Sequence, residues 1–173
     1  MKVKQLLELM KNMTTFTNCS NKKVEGYIDE YSFYVNNSKI DLSEKLEDEI
    51  MYIRYINTVD KKISLEFCDS AERNNDRVAL EELLNALSKT YFNSKDGEWI
   101  VTKFTNEYIP IEITIRKKTG NERVFWKGTN INNYRRTIPF AWDILKNLIV
   151  EEITEINYEK EYVLRIIVNG EEN

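Results

Sequence analysis

The chain has 173 residues, of which 42% are hydrophobic and 31% are charged, and this composition predicts a folded protein of one domain, or of two small lobes that share a core. It contains no histidine, which excludes histidine general bases, Ser-His and Cys-His nucleophile pairs and HExxH zinc sites. Its net charge of −4 argues against direct nucleic-acid binding.

The first half of the chain is predicted to contain helices that alternate with short strands. Apolar residues recur at helical spacing from Val3 to Met10. Asp41 precedes Leu-Ser-Glu, the pattern of a helix N-cap with a glutamate at the third helical position. The elements expected here are a helix at 2–12, strands at 14–19 and within 23–35 with a turn at 29–30, a short helix from Asp41 to about Glu49, a strand at 50–57 that is apolar on both faces, and an antiparallel partner strand through Ile63, Leu65 and Phe67.

The second half follows a polar stretch, 69–75, which is the predicted joint between lobes. Asp76 is expected to cap a helix, and Pro139 to lie in the first turn of another, where proline is tolerated. The first of these helices is predicted to bury Leu80, Leu83, Leu84, Leu87 and Tyr91, and the second contains Ala141, Ile144 and Leu145. The expected strands lie at 99–104, 108–117 and 123–127, and a closing hairpin joins 148–156 to 162–168 through a turn at 158–161.

The strand at 108–117 has the clearest pattern in the sequence. Ile109, Ile111, Ile113 and Ile115 alternate with polar residues, which is the period of a strand with one face in the core. The chain then passes through a turn at 119–121 into its most basic segment. We therefore expect the isoleucines of this strand to form part of the main core.

Two segments share one order of predicted elements. Residues 43–67 and 140–168 each read as helix, strand, charged turn and strand, which a duplicated module would explain. The alternative is that helix-plus-hairpin units recur by chance in this fold class. The sequence thus predicts an α+β fold of mostly antiparallel sheets with about four short helices. It is organised either as two similar helix-plus-hairpin lobes, 1–68 and 69–173, or as one continuous domain.

The motifs of common enzymes are missing from the sequence. Neither GxGxxG nor GxxxxGK[ST] occurs, and no cofactor, metal site or catalytic residue is predicted. Asp60-Lys61-Lys62 would suit a nuclease of the carboxylate-plus-lysine type if Asp41 or Glu49 helped to hold Mg²⁺, but a solvated turn explains the same residues. A histidine-free nuclease that uses Tyr, Glu, Arg and Lys leaves no local motif and is kept as a third hypothesis.

Charge is segregated along the second half of the chain. Residues 101–147 hold nine basic and four acidic residues, whereas residues 148–173 hold two basic and seven acidic residues. Aromatic residues interleave with the basic residues, a combination that suits contact with phosphates and stacking on bases. The alternative is that the aromatic residues belong to the core and the basic residues form a solvated rim around them. The acidic hairpin is either a solvated face or a patch that steers the protein to a basic partner surface. The candidate nucleic-acid contacts are Arg116, Lys117, Lys118, Arg123, Trp126, Lys127, Arg135 and Arg136, and the candidate partner contacts are Glu151, Glu152, Glu155, Glu159 and Glu161.

The opening segment MKVKQLLELMKN, followed by short strands, resembles the start of small proteins encoded by phages and plasmids of AT-rich bacteria. The resemblance implies an accessory protein of a mobile element and carries over no residue role. The leading hypothesis is therefore a non-enzymatic protein that binds a macromolecular partner, a host protein or nucleoprotein complex, and acts as an inhibitor of a host defence protein. The alternative is a nucleic-acid-binding protein that uses residues 116–136.

The expected location is the cytoplasm, that of the host if a phage encodes the protein. No segment is long and apolar enough to span a bilayer, and Glu8 and Lys11 interrupt the first apolar run too early for a signal peptide. Cys19 and Cys68 form no CxxC motif. They are predicted to be free thiols in a reducing compartment, with a disulfide between them as the alternative.

Overall fold

The computed structural model describes residues 1–11, 13, 15–16, 23–24, 31–57, 60–69, 76–87, 91–93, 111–128, 139–158 and 161–170. Its helices are α1 (Val3–Met10), α2 (Leu80–Leu87) and α3 (Pro139–Leu145), with a 3-10 helix at Leu42–Glu44. Its strands are β1 (Thr15–Phe16), β2 (Lys23–Val24), β3 (Ser32–Val35), β4 (Ser38–Ile40), β5 (Ile50–Asn57), β6 (Lys62–Phe67), β7 (Tyr91–Asn93), β8 (Ile111–Arg116), β9 (Glu122–Gly128), β10 (Val150–Tyr158) and β11 (Glu161–Asn169). The fold is α+β, as the sequence predicts.

The strands form two larger sheets that share one topology apart from β7, which extends the first sheet. The first has the order β4-β3-β6-β5-β7 and the second has the order β9-β8-β11-β10. Each sheet contains two antiparallel hairpins, β3-β4 and β5-β6 in the first and β8-β9 and β10-β11 in the second. The two hairpins of a sheet meet through a parallel pair of strands, β3 with β6 or β8 with β11. Strands β1 and β2 form a separate antiparallel pair.

The first residues of α1 and α2 make equivalent backbone hydrogen bonds in the two halves of the chain. In the first half, the N–H of Val3 donates to the carbonyl of Asp48 at 3.1 Å. In the second half, the N–H of Leu80 donates to the carbonyl of Leu148 at 2.9 Å. The predicted similarity of two helix-plus-hairpin units is thus confirmed, and it extends upstream to a further helix and hairpin in each half. The lobe boundary between 68 and 69 stays a prediction.

Two bulges turn the isoleucines of β5 to one face. Ile50, Ile53 and Ile56 are buried, although residues three apart in a regular strand point to opposite faces. The register with β6 shifts between Ile50 and Tyr52 and again between Ile53 and Tyr55, which returns each isoleucine to the core side. The prediction that this strand is apolar on both faces is therefore wrong.

The helix predicted to begin after Asp41 is shorter than expected. Its cap is confirmed, because the Asp41 carboxylate accepts a hydrogen bond from the Ser43 N–H at 2.9 Å. The helical turn ends after Glu44, and the following segment pairs instead with α1, where the Lys4 N–H donates to the carbonyl of Leu46 at 3.0 Å. Backbone pairing with α1 thus replaces the last turn of the predicted helix.

Helix α2 starts later than the leucine pattern suggested. It begins at Leu80 rather than directly after Asp76, and its described residues extend to Leu87. Tyr91 lies in β7, which pairs in parallel with β5, so the prediction that Tyr91 belongs to the helix is wrong. The parallel pairing with β5 gives the backbone of this segment an alternative to continuing the helix.

One hydrophobic cluster contains residues of both larger sheets and of the described helices α1, α2 and α3. Ile111 and Ile113 are buried in it, as predicted, and Ile115 packs against it while half-buried. Helix α1 packs against β10 of the second sheet, and α2 packs against β5 of the first sheet. Each helix therefore closes the core on the sheet of the other half.

The predicted hairpins β5-β6 and β10-β11 are confirmed, and the strands predicted on either side of the turn at 119–121 pair as the hairpin β8-β9. Gly120 in the β8-β9 turn has a φ of +83°, a conformation that favours glycine. The β3-β4 hairpin escaped the sequence analysis, and its turn consists of Asn36 and Asn37, both at positive φ as in a type I′ turn. The turn predicted at 29–30, the strand predicted at 99–104, and residues Ile109 and Cys19 lie outside the described residues.

Cys68 is half-buried and its thiol is free, in agreement with the reading of the cysteines as thiols. Among the helices that the structure describes, none has the length and apolar character needed to cross a membrane.

Candidate functional site

A row of three side chains crosses the face of the first sheet that points away from the core. Tyr34 on β3 pairs in register with Ser64 on β6, and Ser64 pairs on its other side with Tyr55 on β5. All three are half-buried, whereas the adjacent residues Phe33 and Ile63 are buried in the core. We call Tyr34, Ser64 and Tyr55 the tyrosine row.

The equivalent row of the second sheet is filled by an ion pair. Register places Glu112 beside Arg165, and Arg165 beside Thr154. Glu112 Oε1 accepts hydrogen bonds from Arg165 Nε at 2.7 Å and from Thr114 Oγ1 at 2.9 Å. The Glu112 residue is only 1% exposed, and its carboxylate is stabilised because two side chains donate to it.

In the first sheet the same place is an open cavity. Ser64 has a small side chain, so it leaves space between the two tyrosines that flank it. The cavity has a volume of about 490 Å³, within the range of small-molecule sites in proteins. The side chains that line it, here called the first-sheet cleft, are Tyr34, Asn37, Arg54, Tyr55, Asp60, Lys62 and Ser64.

The buried residue Asn57 holds two side chains of the cleft in place. Its Nδ2 donates to the Tyr55 hydroxyl at 2.5 Å and to Asp60 Oδ2 at 3.0 Å, and its Oδ1 accepts from the Asp60 N–H at 2.9 Å. Asn57 is 3% exposed, so these part-buried bonds are reached by water only from the side of Tyr55 and Asp60. The Tyr55 hydroxyl and the Asp60 carboxylate are therefore ordered before any ligand arrives, which lowers the entropic cost of binding.

Arg54 contributes a cation to the cleft from the second bulge of β5. It forms an ion pair with Glu66 on β6, and its guanidinium lies 5.0 Å from the centroid of the Tyr52 ring. The Nε and Nη2 of Arg54 are both directed at Glu66 Oε2, which leaves Nη1 as the donor to a ligand oxyanion.

Four polar side chains of the cleft make no hydrogen bond or ion pair within the described residues. They are the phenol of Tyr34, the amide of Asn37, the hydroxyl of Ser64 and the ammonium of Lys62. Polar groups that converge on a cavity without protein partners are the groups that a ligand would satisfy. The cleft therefore offers aromatic faces, hydroxyl groups and cations to one ligand.

The structure brings the predicted basic segment against the predicted acidic patch. Arg116 Nη1 lies 3.4 Å from Glu151 Oε2, and its Nη2 lies 3.1 Å from Glu152 Oε2 and 2.7 Å from Glu122 Oε1. Desolvation lowers the pKa of Arg116, but the hydrogen bonds to Glu122 and Glu152 outweigh it and the pKa is raised overall. At this point the two candidate surfaces neutralise each other.

The other predicted contacts of the basic segment follow the β8-β9 hairpin. Lys117, Lys118, Arg123 and Lys127 are exposed there, while Trp126 is half-buried and packs against the core. Their roles stay predictions. Arg135, Arg136 and Glu159 lie outside the described residues, as do the side chains of Glu155 and Glu161.

The carboxylates considered for a nuclease serve separate purposes. Asp41 caps the 3-10 helix, Glu49 is buried and pairs with the amino group of Met1 at 2.7 Å, and Asp60 is held by Asn57. Within the described part of the chain, no group of three or more Asp, Glu or Cys side chains is arranged to hold a metal ion. The structure does not bring Asp41, Glu49 and Asp60 together.

Of the residues of the cleft, only Asp60 and Lys62 appear among the sequence-based hypotheses. The alternation of Lys62, Ser64 and Glu66 with apolar residues does mark a polar face of β6. It does not tell which strand lies beside β6. Comparison of the chain with protein-family models, with curated proteins and with solved structures finds no match.

Proposed function

We propose that the protein binds single-stranded nucleic acid across the open face of its first sheet and does not alter it chemically. The observation that carries the proposal is the first-sheet cleft, in which two tyrosines flank Ser64 and the cations Arg54 and Lys62 line the same cavity.

Aromatic side chains and cations on an open sheet face suit the two parts of a nucleotide. Bases stack on aromatic rings, at about 1–3 kcal/mol per base, and phosphates contact Lys and Arg. Tyr34 and Tyr55 lie on strands that flank β6, so strand spacing separates their backbones by about 10 Å. That separation suits two bases splayed from an extended backbone.

The charge of this face differs from the charge of the whole chain. The net charge is −4, but the face carries Lys39, Arg54 and Lys62 against the carboxylates Asp60 and Glu66. Lys39 is exposed and lies in register beside Tyr34, which extends the row toward the edge strand β4. Phosphates can therefore approach this face despite the acidic composition elsewhere.

The face also favours binding over catalysis. Ser64 Oγ makes no hydrogen bond to a general base among the described residues, and an activated serine needs such a partner. Inhibition of a host defence protein, the leading hypothesis from the sequence, stays a prediction. It is compatible with the present proposal where the host target is a nucleoprotein complex.

Fluorescence anisotropy with short labelled strands tests the proposal. We expect single-stranded nucleic acid to bind and a duplex of the same sequence to bind more weakly, because paired bases cannot reach the tyrosines. Affinity should fall with salt at a log–log slope of about −0.7 per phosphate contacted, or about −1.4 to −2.1 for two to three contacts.

Two variants and one control locate the surface. Tyr34→Ala and Lys62→Ala should each weaken binding, whereas Lys118→Ala, an exposed cation on the β8-β9 turn, should leave binding unchanged. Absence of binding to every strand would refute the proposal. A large loss in Lys118→Ala with none in the cleft variants would move the site to the basic segment.

A further inference from the structure

We infer that the first-sheet cleft is built for a ribonucleotide unit, with Asp60 accepting a hydrogen bond from the ribose 2′-hydroxyl. The inference rests on the proposed function, since it names the class of nucleic acid that the same cleft would take. It starts from a carboxylate in a place where a phosphate-binding surface would ordinarily avoid one.

Asp60 is exposed, yet its position is fixed. Asn57 donates to Asp60 Oδ2 at 3.0 Å and accepts from the Asp60 N–H at 2.9 Å. The other carboxylate oxygen, Oδ1, makes no hydrogen bond within the described residues. A charged acceptor is thus held at the cavity with one oxygen available to a ligand.

A carboxylate beside a sugar–phosphate backbone repels the phosphates unless the ligand supplies a donor. A DNA backbone has no hydrogen-bond donor, whereas RNA carries a 2′-hydroxyl on every ribose. Lys62 and Arg54 line the same cavity and would contact the phosphate, so Asp60 is the group that would contact the sugar. Hydrogen bonds to a charged acceptor are stronger than neutral ones, so this contact can discriminate between the two sugars.

The competing donors are the amino groups of the bases, which RNA and DNA share. They would make Asp60 a reader of base identity, without any preference for the sugar. Strands of identical base sequence therefore separate the two possibilities.

The test compares RNA, DNA and 2′-O-methyl RNA strands that contain only adenine and cytosine. RNA should bind about tenfold more tightly than DNA, which corresponds to about 1.4 kcal/mol. The 2′-O-methyl strand, which lacks the donor, should bind like DNA.

The variant Asp60→Asn is matched to this question, because its side-chain oxygen can keep the contact with Asn57 Nδ2 while its amide removes the free acceptor. It should bring the RNA-to-DNA affinity ratio close to one, with an unchanged thermal melt. Equal binding of all three strands by the parent, or an equal loss for RNA and DNA in the variant, would overturn this inference alone. If no strand binds to the parent at all, the proposed function itself falls.

Discussion

Ser64 and Arg165 occupy equivalent positions in the two sheets, each at the centre of a row of three side chains. Arg165 fills its row by donating to the buried carboxylate of Glu112. Ser64 cannot fill the space between its neighbours, and a cavity lies there. One difference in side-chain size and charge thus separates two faces that share a backbone topology.

Replacing Ser64 by Arg should close the first-sheet cleft. The larger side chain would lie between Tyr34 and Tyr55, so we expect anisotropy to show a loss of single-strand binding. Ser64→Ala keeps the space and removes only the hydroxyl, so it should lose much less binding than Ser64→Arg. A folded Ser64→Arg variant that binds like the parent would show that the cavity is not the site.

Replacing Ile113 by Ala should destabilise the protein strongly. Ile113 is fully buried at the centre of β8, and removing its methyl and methylene groups leaves a cavity in the shared core. The free energy of unfolding, measured by denaturant titration, should fall by about 2–5 kcal/mol. Val124→Ala on the neighbouring strand β9 is the control, because Val124 is 46% exposed and should change stability by no more than about 0.5 kcal/mol.

Arg116 and Glu152 should show a small favourable coupling in a double-mutant cycle. Their side chains lie 3.1 Å apart but remain partly exposed, so we expect about 0.2–1 kcal/mol, which decreases as salt is added. Reversal of Glu151 and Glu152 to Lys should therefore lower stability, because it places new positive charges beside Arg116. A reversed protein with an unchanged melting temperature would show that these contacts contribute nothing to folding.

The cap at Asp41 should make stability depend on pH in acid. The backbone N–H of Ser43 donates to the Asp41 carboxylate and holds the pKa of Asp41 below its ordinary value of 3.8. A lowered folded-state pKa means that the contribution is fully present above pH 3.8 and is lost as the pH falls through the folded-state pKa. The difference in melting temperature between the parent and Asp41→Ala should shrink over that range. Asp41→Asn, whose amide oxygen also caps but does not titrate, should stay close to the parent at neutral pH and not lose its cap in acid.

Local pattern was sufficient for most strands of this fold. The alternation of Ile111, Ile113 and Ile115 predicted β8 correctly. The pairing of β8 with β11 is regular, so these isoleucines stay on one face of the strand. Strand β5 misled the same reasoning, since its bulges place isoleucines three residues apart on the same side. No residue type in β5 marks the position of a bulge, so the burial of Ile50, Ile53 and Ile56 on one side could not be predicted from the sequence.

The cleft could not be predicted from the sequence, because it depends on which strands are neighbours in the sheet. Tyr34 and Ser64 are neighbours only because β3 and β6 pair in parallel, and a parallel pair is not joined by a short turn that composition could reveal. The sequence alone assigns Arg116 and Glu152 to two separate surfaces, because it does not show that β8 and β10 flank β11. In both cases the missing information was which strands lie side by side.

The packing of α1 on β10 and of α2 on β5 has a consequence for how the chain folds. Neither half can complete its own interior before the distant half arrives, so the contacts that close the core join segments far apart in sequence. Such high contact order slows folding, since a long loop must close before the apolar surface is buried. Heating should then melt both sheets in one cooperative transition rather than in two.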